Sequence, residues 1–219
     1  KAIKSELASS VPGLPQAEPS LKITYVQPKD FTGLLRYVRN ILVVTIDPTA
    51  YTKVSVGYEN NVWARGQVVV SLKAPNTESI VEYSKTHEKA LVDFFVKVEM
   101  NRAIEQLQKE YSMVVMDNLK SDLNVMLNAP ANFTYYKDTT DFFWSSNNAN
   151  TGRMDLIVYT FPYTDPNTFT EEYLVAKRDS VLKANLPGSF PGSYMQTETR
   201  AGVEYTPITL NGKYCGVMR

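Results

Sequence analysis

The stretch 132–155 concentrates the side chains that are best suited to bind a ligand. Two tyrosines and a tryptophan stand among amides and an arginine in NFTYYKDTTDFFWSSNNANTGRMD. Flat rings give contact area with few rotatable bonds, and amide and guanidinium groups donate directional hydrogen bonds, a combination typical of sugar or peptide recognition. The candidate ligand-binding residues are Tyr135, Tyr136, Trp144, Asn147, Asn148 and Arg153. The alternative is structural: 142–144 is a strand and 145–152 is a long hairpin loop.

Residues that could perform nucleophilic catalysis are scarce. The chain has one histidine, His87, and one cysteine, Cys215, whereas a catalytic nucleophile needs a base and a group that orients the base. His87 falls on an apolar helical stripe, which predicts a half-buried side chain. Cys215 shares a face with Leu210 in a predicted hairpin, which predicts a small buried hydrophobe. The sequence therefore predicts no catalytic residue and favours a non-enzyme, with an enzyme of unfamiliar type left open.

The same composition bears on cofactors and partners. One histidine and one cysteine provide no zinc-binding spacing, and no calcium-binding loop, phosphate-binding loop or dinucleotide motif occurs. We therefore expect neither a metal nor a cofactor. The 23 basic and 23 acidic residues balance to zero net charge, which argues against nucleic acid as a partner. No apolar run approaches the about 20 residues that span a bilayer.

One long helix, over 77–111, is expected to organise the fold. Residues 76–129 contain no glycine and no proline, which are the usual helix breakers. Apolar or aromatic residues recur every three or four positions, as on one helical face: Ile80, Tyr83, His87, Leu91, Phe94 and Val98. The stripe shifts phase afterwards, which predicts a bend or a change of partner near 99–101. A shorter helix over 116–122 follows.

The order of predicted elements occurs twice along the chain. Strands at 21–27, 41–46, 54–58 and 63–73 precede the long helix, and strands at 123–127, 142–144 and 153–161 precede a helix at 166–185. The pattern Pro-x-x-Phe-Thr recurs 102 residues apart, and Pro-Asn-Thr opens both helices. A strand at 194–200 and a hairpin around Asn211-Gly212, a strong turn signal, begin a third unit.

The fold class that follows is α+β, with two β-β-β-α repeats. Each repeat is predicted to be a small antiparallel meander with helices packed on one face. The predicted domains are 1–122 for the first repeat, 123–185 for the second and 186–219 for the start of a truncated third unit. A single compact domain is the alternative, because one unit of this size buries little apolar surface alone.

Several motifs resemble a family of uncharacterised lipoproteins of Bacteroidetes, a domain of unknown function. They are VPGLPQ at 11–16, RNILVV at 39–44, WARGQ at 63–67, SSNNANTGRMD at 145–155 and YTFPYTDPNTFTEEYLVAKRDSVL at 159–182. The resemblance covers essentially the whole chain. It implies a location in the cell envelope, on a lipid anchor that lies outside this chain, and it supplies neither an activity nor site residues.

Two functions follow from these observations. The first is a non-catalytic interaction or scaffold module of the cell envelope, periplasmic or on the outer surface. The second is a glycan- or peptide-binding module that uses the aromatic, asparagine and arginine side chains of 132–155. The expected partners are a glycan, a peptide or an envelope protein, and the membrane only through the lipid anchor.

Overall fold

Short helices and strands follow one another along the chain, which a computed structural model describes for residues 2–14 and 16–219. The α-helices are α1 (Ala2–Leu7), α2 (Thr77–Thr86), α3 (Ala90–Lys109), α4 (Met113–Asp122) and α5 (Glu171–Asn185). The strands are β1 (Asn40–Ile46), β2 (Ser55–Asn60), β3 (Val68–Ala74), β4 (Tyr135–Thr139), β5 (Phe142–Ser146), β6 (Asp155–Tyr159), β7 (Tyr205–Leu210) and β8 (Lys213–Met218). The fold class is α+β, as predicted.

The chain divides into two units, and the division falls within α3. Unit 1 contains the residues up to Val11 and Gln16–Glu99, and unit 2 contains Met100–Arg219 together with the few residues that follow Val11. Each unit holds one three-stranded sheet followed by helix, and unit 2 also holds the hairpin of β7 and β8. This shared order supports the predicted repeat loosely, because the two sheets differ in how their strands are connected.

The sheet of unit 1 has the strand order β1-β3-β2. β2 pairs with β3 antiparallel, but β1 pairs with β3 parallel, with Ile41 opposite Val69. The predicted antiparallel meander is therefore wrong for this sheet. After β1 the Asp47 carboxylate accepts hydrogen bonds from the backbone N–H of Thr49 (2.8 Å) and Ala50 (3.2 Å), which turns the chain away from a direct hairpin. β3, the most buried strand of this sheet, lies in the central position.

The core of unit 1 lies between one face of β3 and the helices. Buried side chains of β3 alternate along the strand and pack with α1, α2 and α3: Val68, Val70, Leu72 and Ala74 contact the cluster of Leu7, Ile80, Leu91, Val92 and Phe95. Fully burying one large apolar side chain is worth about 1.5–3 kcal/mol. Helices on one face of the sheet are thus what holds this unit together.

The predicted helix over 77–111 is two helices, α2 and α3. The break lies at residues 87–89 and not at 99–101, because Lys89 takes a left-handed conformation with φ of 64°. Neither glycine nor proline marks this position. The first turn of α3 is capped by a residue that is distant in sequence. The Glu6 carboxylate of α1 accepts a hydrogen bond from the backbone N–H of Leu91 at 2.9 Å. A carboxylate there also favours the helix dipole.

The sheet of unit 2 is an antiparallel meander, β4-β5-β6, as predicted for its last two strands. Its first strand is β4, and the predicted strand over 123–127 is absent. Leu123 terminates α4 and Asn124 has a φ of 52°, so the chain there cannot extend into a ladder. One face of the sheet packs on α4 through a buried cluster: Val115, Leu119, Ala129, Phe133 and Phe143.

Helix α5 reaches the opposite face of the same sheet. The Lys137 ammonium of β4 donates to the backbone carbonyl oxygen of Asn185, at the end of α5, at 3.1 Å. Phe161, just beyond β6, lies 6.2 Å from Tyr173 of α5, measured between ring centroids. The prediction of helices on one face of each sheet therefore fits unit 1, whereas in unit 2 helices contact both faces.

The C-terminal hairpin has the predicted Asn-Gly turn. Asn211 and Gly212 both have positive φ, 50° and 75°, as a two-residue turn of this type requires. The predicted strand over 194–200 is absent, because Asp179 of α5 holds the segment through the backbone N–H and hydroxyl of Thr197, at 2.8 and 2.7 Å. The predicted strand over 21–27 is also absent, and β3 begins five residues later than predicted, at Val68.

Candidate ligand-binding site

The sheet of unit 2 places Tyr135 and Trp144 on one face and Tyr136 on the other. Paired residues of neighbouring strands share a face, and side chains alternate along each strand. The pairs Tyr135 with Ser146 and Lys137 with Trp144 put both aromatic side chains on the face that α5 reaches. Tyr136 instead stacks on Phe143, with ring centroids 6.3 Å apart, on the face that packs on α4. The predicted aromatic set is therefore divided by the sheet.

Asp155 joins Trp144 to Arg153. Its carboxylate accepts a hydrogen bond from the indole Nε1 of Trp144 at 3.0 Å, across the strand pair. It also accepts from the guanidinium of Arg153, at 3.1 Å from Nε to Oδ2 and 3.0 Å from Nη2 to Oδ1. The guanidinium carbon of Arg153 lies 6.0 Å from the Trp144 ring centroid, within cation–π range. We call Tyr135, Trp144, Arg153 and Asp155 the Trp144 cluster.

The hydrogen bonds of the cluster control the charge of Asp155. Burial alone would raise the pKa of this carboxyl, but hydrogen bonds from Arg153, Ser146 and Trp144 outweigh it and hold the pKa below its ordinary value. An exposed ion pair contributes little free energy, about 0–1 kcal/mol. The two-point contact with Arg153 matters more for geometry, because it fixes the plane of the guanidinium.

The cluster is accessible. The Arg153 side chain is 52% exposed, and Tyr135 is 56% exposed, while Trp144 is half-buried. Arg153 uses Nε and Nη2 on Asp155, and Nη1 makes no hydrogen bond to any residue that the structure describes. A ligand can therefore meet a ring surface, a guanidinium donor and a carboxylate acceptor at one place on the sheet.

The two predicted asparagines shape the loop that carries Arg153. The Asn147 amide oxygen accepts from the backbone N–H of Ala149 (3.2 Å) and of Met154 (3.0 Å), and its nitrogen donates to the carbonyl oxygen of Gly152 (3.3 Å). Asn148 takes a left-handed conformation with φ of 47°. These bonds return the chain from β5 to β6 in register. A direct contact of either asparagine with a ligand stays a prediction.

Asp155 is the member of the cluster that the sequence analysis did not include. Two features of the sequence could have indicated Asp155. The first is that Arg153 and Asp155 are two positions apart in an extended segment, so their side chains lie on one side of it. The second is that Trp144 stands on the preceding strand of the same hairpin. Only the register of β5 with β6, which pairs Ser146 with Asp155, brings the carboxylate to the indole.

The histidine belongs to unit 1, and the cysteine belongs to the C-terminal hairpin of unit 2. His87 is exposed, and not half-buried as predicted, because it is the C-cap residue that follows α2. Its ring stacks on Tyr83 with centroids 4.2 Å apart, and its Nδ1 lies 2.9 Å from the Thr86 hydroxyl. Cys215 pairs with Ile208 across the hairpin and so shares a face with Leu210, as predicted, but it is partly exposed and not buried.

One pair of carboxyl groups forms elsewhere in unit 2, between Asp122 at the end of α4 and Asp138 on β4. Burial, and then the hydrogen bond with Asp122, raise the pKa of Asp138. Hydrogen bonds from Ser121 and from Asp138 lower the pKa of Asp122. Asp138 is thus the carboxyl group that keeps its proton more readily, and it can share this proton with Asp122 in a hydrogen bond. Asp138 alternates with Lys137 along β4, so this pair lies on the face opposite to the Trp144 cluster.

Comparison with known proteins finds families but no characterised relative. Residues 1–108 match a family model described as a domain of unknown function (DUF8532), and residues 112–219 match a second one (DUF4837). No curated protein and no solved structure gives a match. The two matches meet between the end of α3 at Lys109 and the start of α4 at Met113. The chain is therefore similar, over nearly its whole length, to two uncharacterised domain families in succession.

Proposed function

We propose that this protein is a non-catalytic interaction module of the cell envelope, and that the Trp144 cluster binds a neutral glycan. The observation that carries the proposal is the double role of Asp155, which holds the Trp144 indole at 3.0 Å and the Arg153 guanidinium at 3.1 Å. A ring and two polar groups are fixed together on an accessible part of the sheet before any ligand arrives. Groups fixed in advance lose less conformational entropy on binding.

The chemistry of the cluster favours a sugar. The apolar C–H face of a sugar ring packs on aromatic rings, which Tyr135 and Trp144 provide. Sugar hydroxyls both donate and accept hydrogen bonds, and the cluster offers a guanidinium donor and a carboxylate acceptor side by side. The positive charge of Arg153 is balanced by Asp155, so the pair favours an uncharged ligand over an anion.

The location in the envelope rests on the resemblance of 145–182 to envelope lipoproteins. Among the residues described, no helix is long and apolar enough to cross a membrane. We expect the native protein to fractionate with membranes and to be released by detergent. Its incorporation of radiolabelled palmitate in growing cells would test the lipid anchor directly, and absence of the label would contradict this part of the proposal.

A glycan array tests the binding site. The native chain is expected to bind a set of neutral oligosaccharides, and Trp144→Ala is expected to lose that signal. Trp63→Ala is the matched control, because Trp63 is the other tryptophan of the chain and belongs to unit 1. An array with no signal for the native chain, or an equal signal for Trp144→Ala, would contradict the proposal.

A scaffold that binds a protein chain is the second candidate function. A different feature of unit 2 favours it, namely the outer edge of β6, which pairs with no other strand within the described part of the chain.

A further inference from the structure

The outer edge of β6 carries unpaired backbone groups. Hydrogen bonds from Asn147 N–H to the Met154 carbonyl (3.3 Å) and from Thr160 N–H to the Asp141 carbonyl (3.0 Å) set the pattern of the ladder. In an antiparallel pair, alternate residues direct their backbone groups to the partner strand. The even-numbered residues of β6 therefore face β5, and Asp155, Ile157 and Tyr159 direct N–H and C=O outward. No residue described by the structure pairs with these outward groups.

A groove of about 460 Å³ borders the start of this edge. One wall is the irregular segment 127–133, and the other is formed by Met154, Asp155 and Leu156. Most of the lining is apolar: Leu127, Ala129, Pro130, Phe133, Met154 and Leu156. The volume lies within the about 300–1,000 Å³ of typical ligand sites.

Hydrogen bonds hold the irregular wall in place without any partner. The Ser112 N–H donates to the Ala129 carbonyl (2.9 Å), and the Ser112 hydroxyl donates to the Phe133 carbonyl (2.6 Å). The Asn128 amide donates to the Leu107 carbonyl at 3.0 Å. The groove is therefore formed in advance, which lowers the entropic cost of filling it.

The two edges of this sheet differ in how they are protected. Proteins blunt exposed edges with charged residues, proline or bulges. β4 reads YYKDT and carries Lys137 and Asp138. β6 reads DLIVY, and after Asp155 it consists of apolar and aromatic residues of high β propensity. The charge of Asp155 is already balanced by Arg153, so only the β6 edge offers an uncharged template for a further strand.

We propose that β6 accepts an extended peptide of a partner protein as an added strand of the sheet. The outward groups of Asp155, Ile157 and Tyr159 supply hydrogen bonds to the peptide backbone, and an apolar side chain of the peptide fills the groove beside Leu156. The peptide is uncharged over this stretch, with apolar residues at alternate positions. This site does not depend on the proposed glycan site, apart from sharing Asp155 as a border.

Peptide selection tests the proposal. Random dodecapeptides displayed on phage are selected against the full chain, and a selected peptide is synthesised and its affinity measured by calorimetry. Ile157→Pro removes an outward N–H that no internal bond uses, and it is expected to weaken binding at least about tenfold. Tyr136→Pro is the matched control, because Tyr136 faces outward on the β4 edge, and its affinity is expected to equal that of the native chain.

A second measurement keeps the test valid if Ile157→Pro fails to fold. N-methylation of successive peptide nitrogens is expected to weaken binding to the native chain at every second position only, because alternate amides face β6. Amide hydrogen exchange is expected to slow at Asp155, Ile157 and Tyr159 on peptide addition. A flat N-methyl profile, protection confined to other residues, or no selected peptide would overturn the proposal. So would a dimer of the native chain that Ile157→Pro dissolves, since a second copy would then occupy the edge.

Discussion

The central strands of the two sheets are both buried, but they reach that position by different routes. In unit 2 the chain passes from β4 to β5 to β6 through hairpins, so the central strand is also the second in sequence. In unit 1 the third strand inserts between the first two and runs parallel to β1. The central strand is the most buried strand of its sheet in both cases, with Leu72 of β3 and Phe143 of β5 almost completely buried. Both central positions are thus buried, and the connections decide the direction of the strand that fills them.

The difference also explains where a site can form. β3 uses its side chains for packing on both faces, since Val69 is buried as well as Val70. β5 buries Phe143 against the α4 cluster and presents Trp144 on the opposite face, where α5 leaves part of the sheet accessible. Phe142, on the same face as Trp144, is also buried, so β5 packs on both faces as well, and the partial exposure of Trp144 is what makes a site possible there.

Removing a central side chain should produce the largest effect. Phe143→Ala deletes a ring that packs on Val115 and Leu119, and we expect a loss of about 3–5 kcal/mol in the free energy of unfolding. Phe190→Ala is the control, because Phe190 is 77% exposed, and we expect it to change stability by less than about 0.5 kcal/mol. Urea unfolding followed by circular dichroism measures both. Equal losses would show that burial in the sheet does not organise unit 2.

Substitutions in the loops that precede the last strand of each sheet should lower the free energy of unfolding by smaller amounts. Gln67 is 1% exposed and bonds the carbonyls of Arg36 and Val38 (2.6 and 2.7 Å) and the N–H of Trp63 (3.0 Å). Gln67→Ala removes three hydrogen bonds that an almost completely buried side chain makes, and we expect a cost of about 1–3 kcal/mol.

Asn147→Ala is the matching change in unit 2. Asn147 is partly exposed, so water can replace the amide, and we expect a cost of about 0.5–1.5 kcal/mol. Urea unfolding of both variants checks the order. A larger loss for Asn147→Ala than for Gln67→Ala would contradict it.

The smallest effect is expected when the pH is lowered, and it concerns the sheet face of unit 2 that carries Trp144. The pKa of Asp155 is lowered in the folded chain, so its stabilising contribution is present above the pKa of an unfolded aspartate and is lost as pH falls through the folded pKa. We therefore expect Trp144 emission to change below about pH 4. The measurement uses Trp63→Phe, so that Trp144 alone is observed. Asp155→Asn in that background should remove the transition, and its persistence would assign the change to another group.

Local patterns in the sequence were enough for the elements that local chemistry determines. The Asn211-Gly212 hairpin, the helix ending at Asn185 and the β-branched run of β1 all occur where predicted. The alternation of Leu123, Val125 and Leu127 was also meaningful, because all three pack on the core of unit 2. They do so without pairing, since the left-handed Asn124 interrupts the strand geometry. In this segment the alternation of apolar residues therefore predicts burial correctly, but it does not predict hydrogen-bonded pairing with another strand.

The features that were missed depend on contacts distant in sequence. The parallel pairing of β1 with β3 is set by the course of the connection, and the helix break at Lys89 is stabilised by Glu6. For the candidate site, the composition of 132–155 led to the prediction of Trp144 and Arg153, which the structure brings within 6.0 Å of each other. The division of Tyr135 from Tyr136 and the recruitment of Asp155 needed the register of three strands, which composition does not contain.

The cap that Glu6 provides for α3 also constrains the order of events during synthesis. Glu6 leaves the ribosome 85 residues before Leu91 does. The strands of the unit 1 sheet are therefore synthesised before α1 can contact α3. Contacts this distant in sequence form slowly. We therefore expect the contact between α1 and α3 to form late in folding, and we expect a truncation that removes residues 2–7 to leave the start of α3 without this cap.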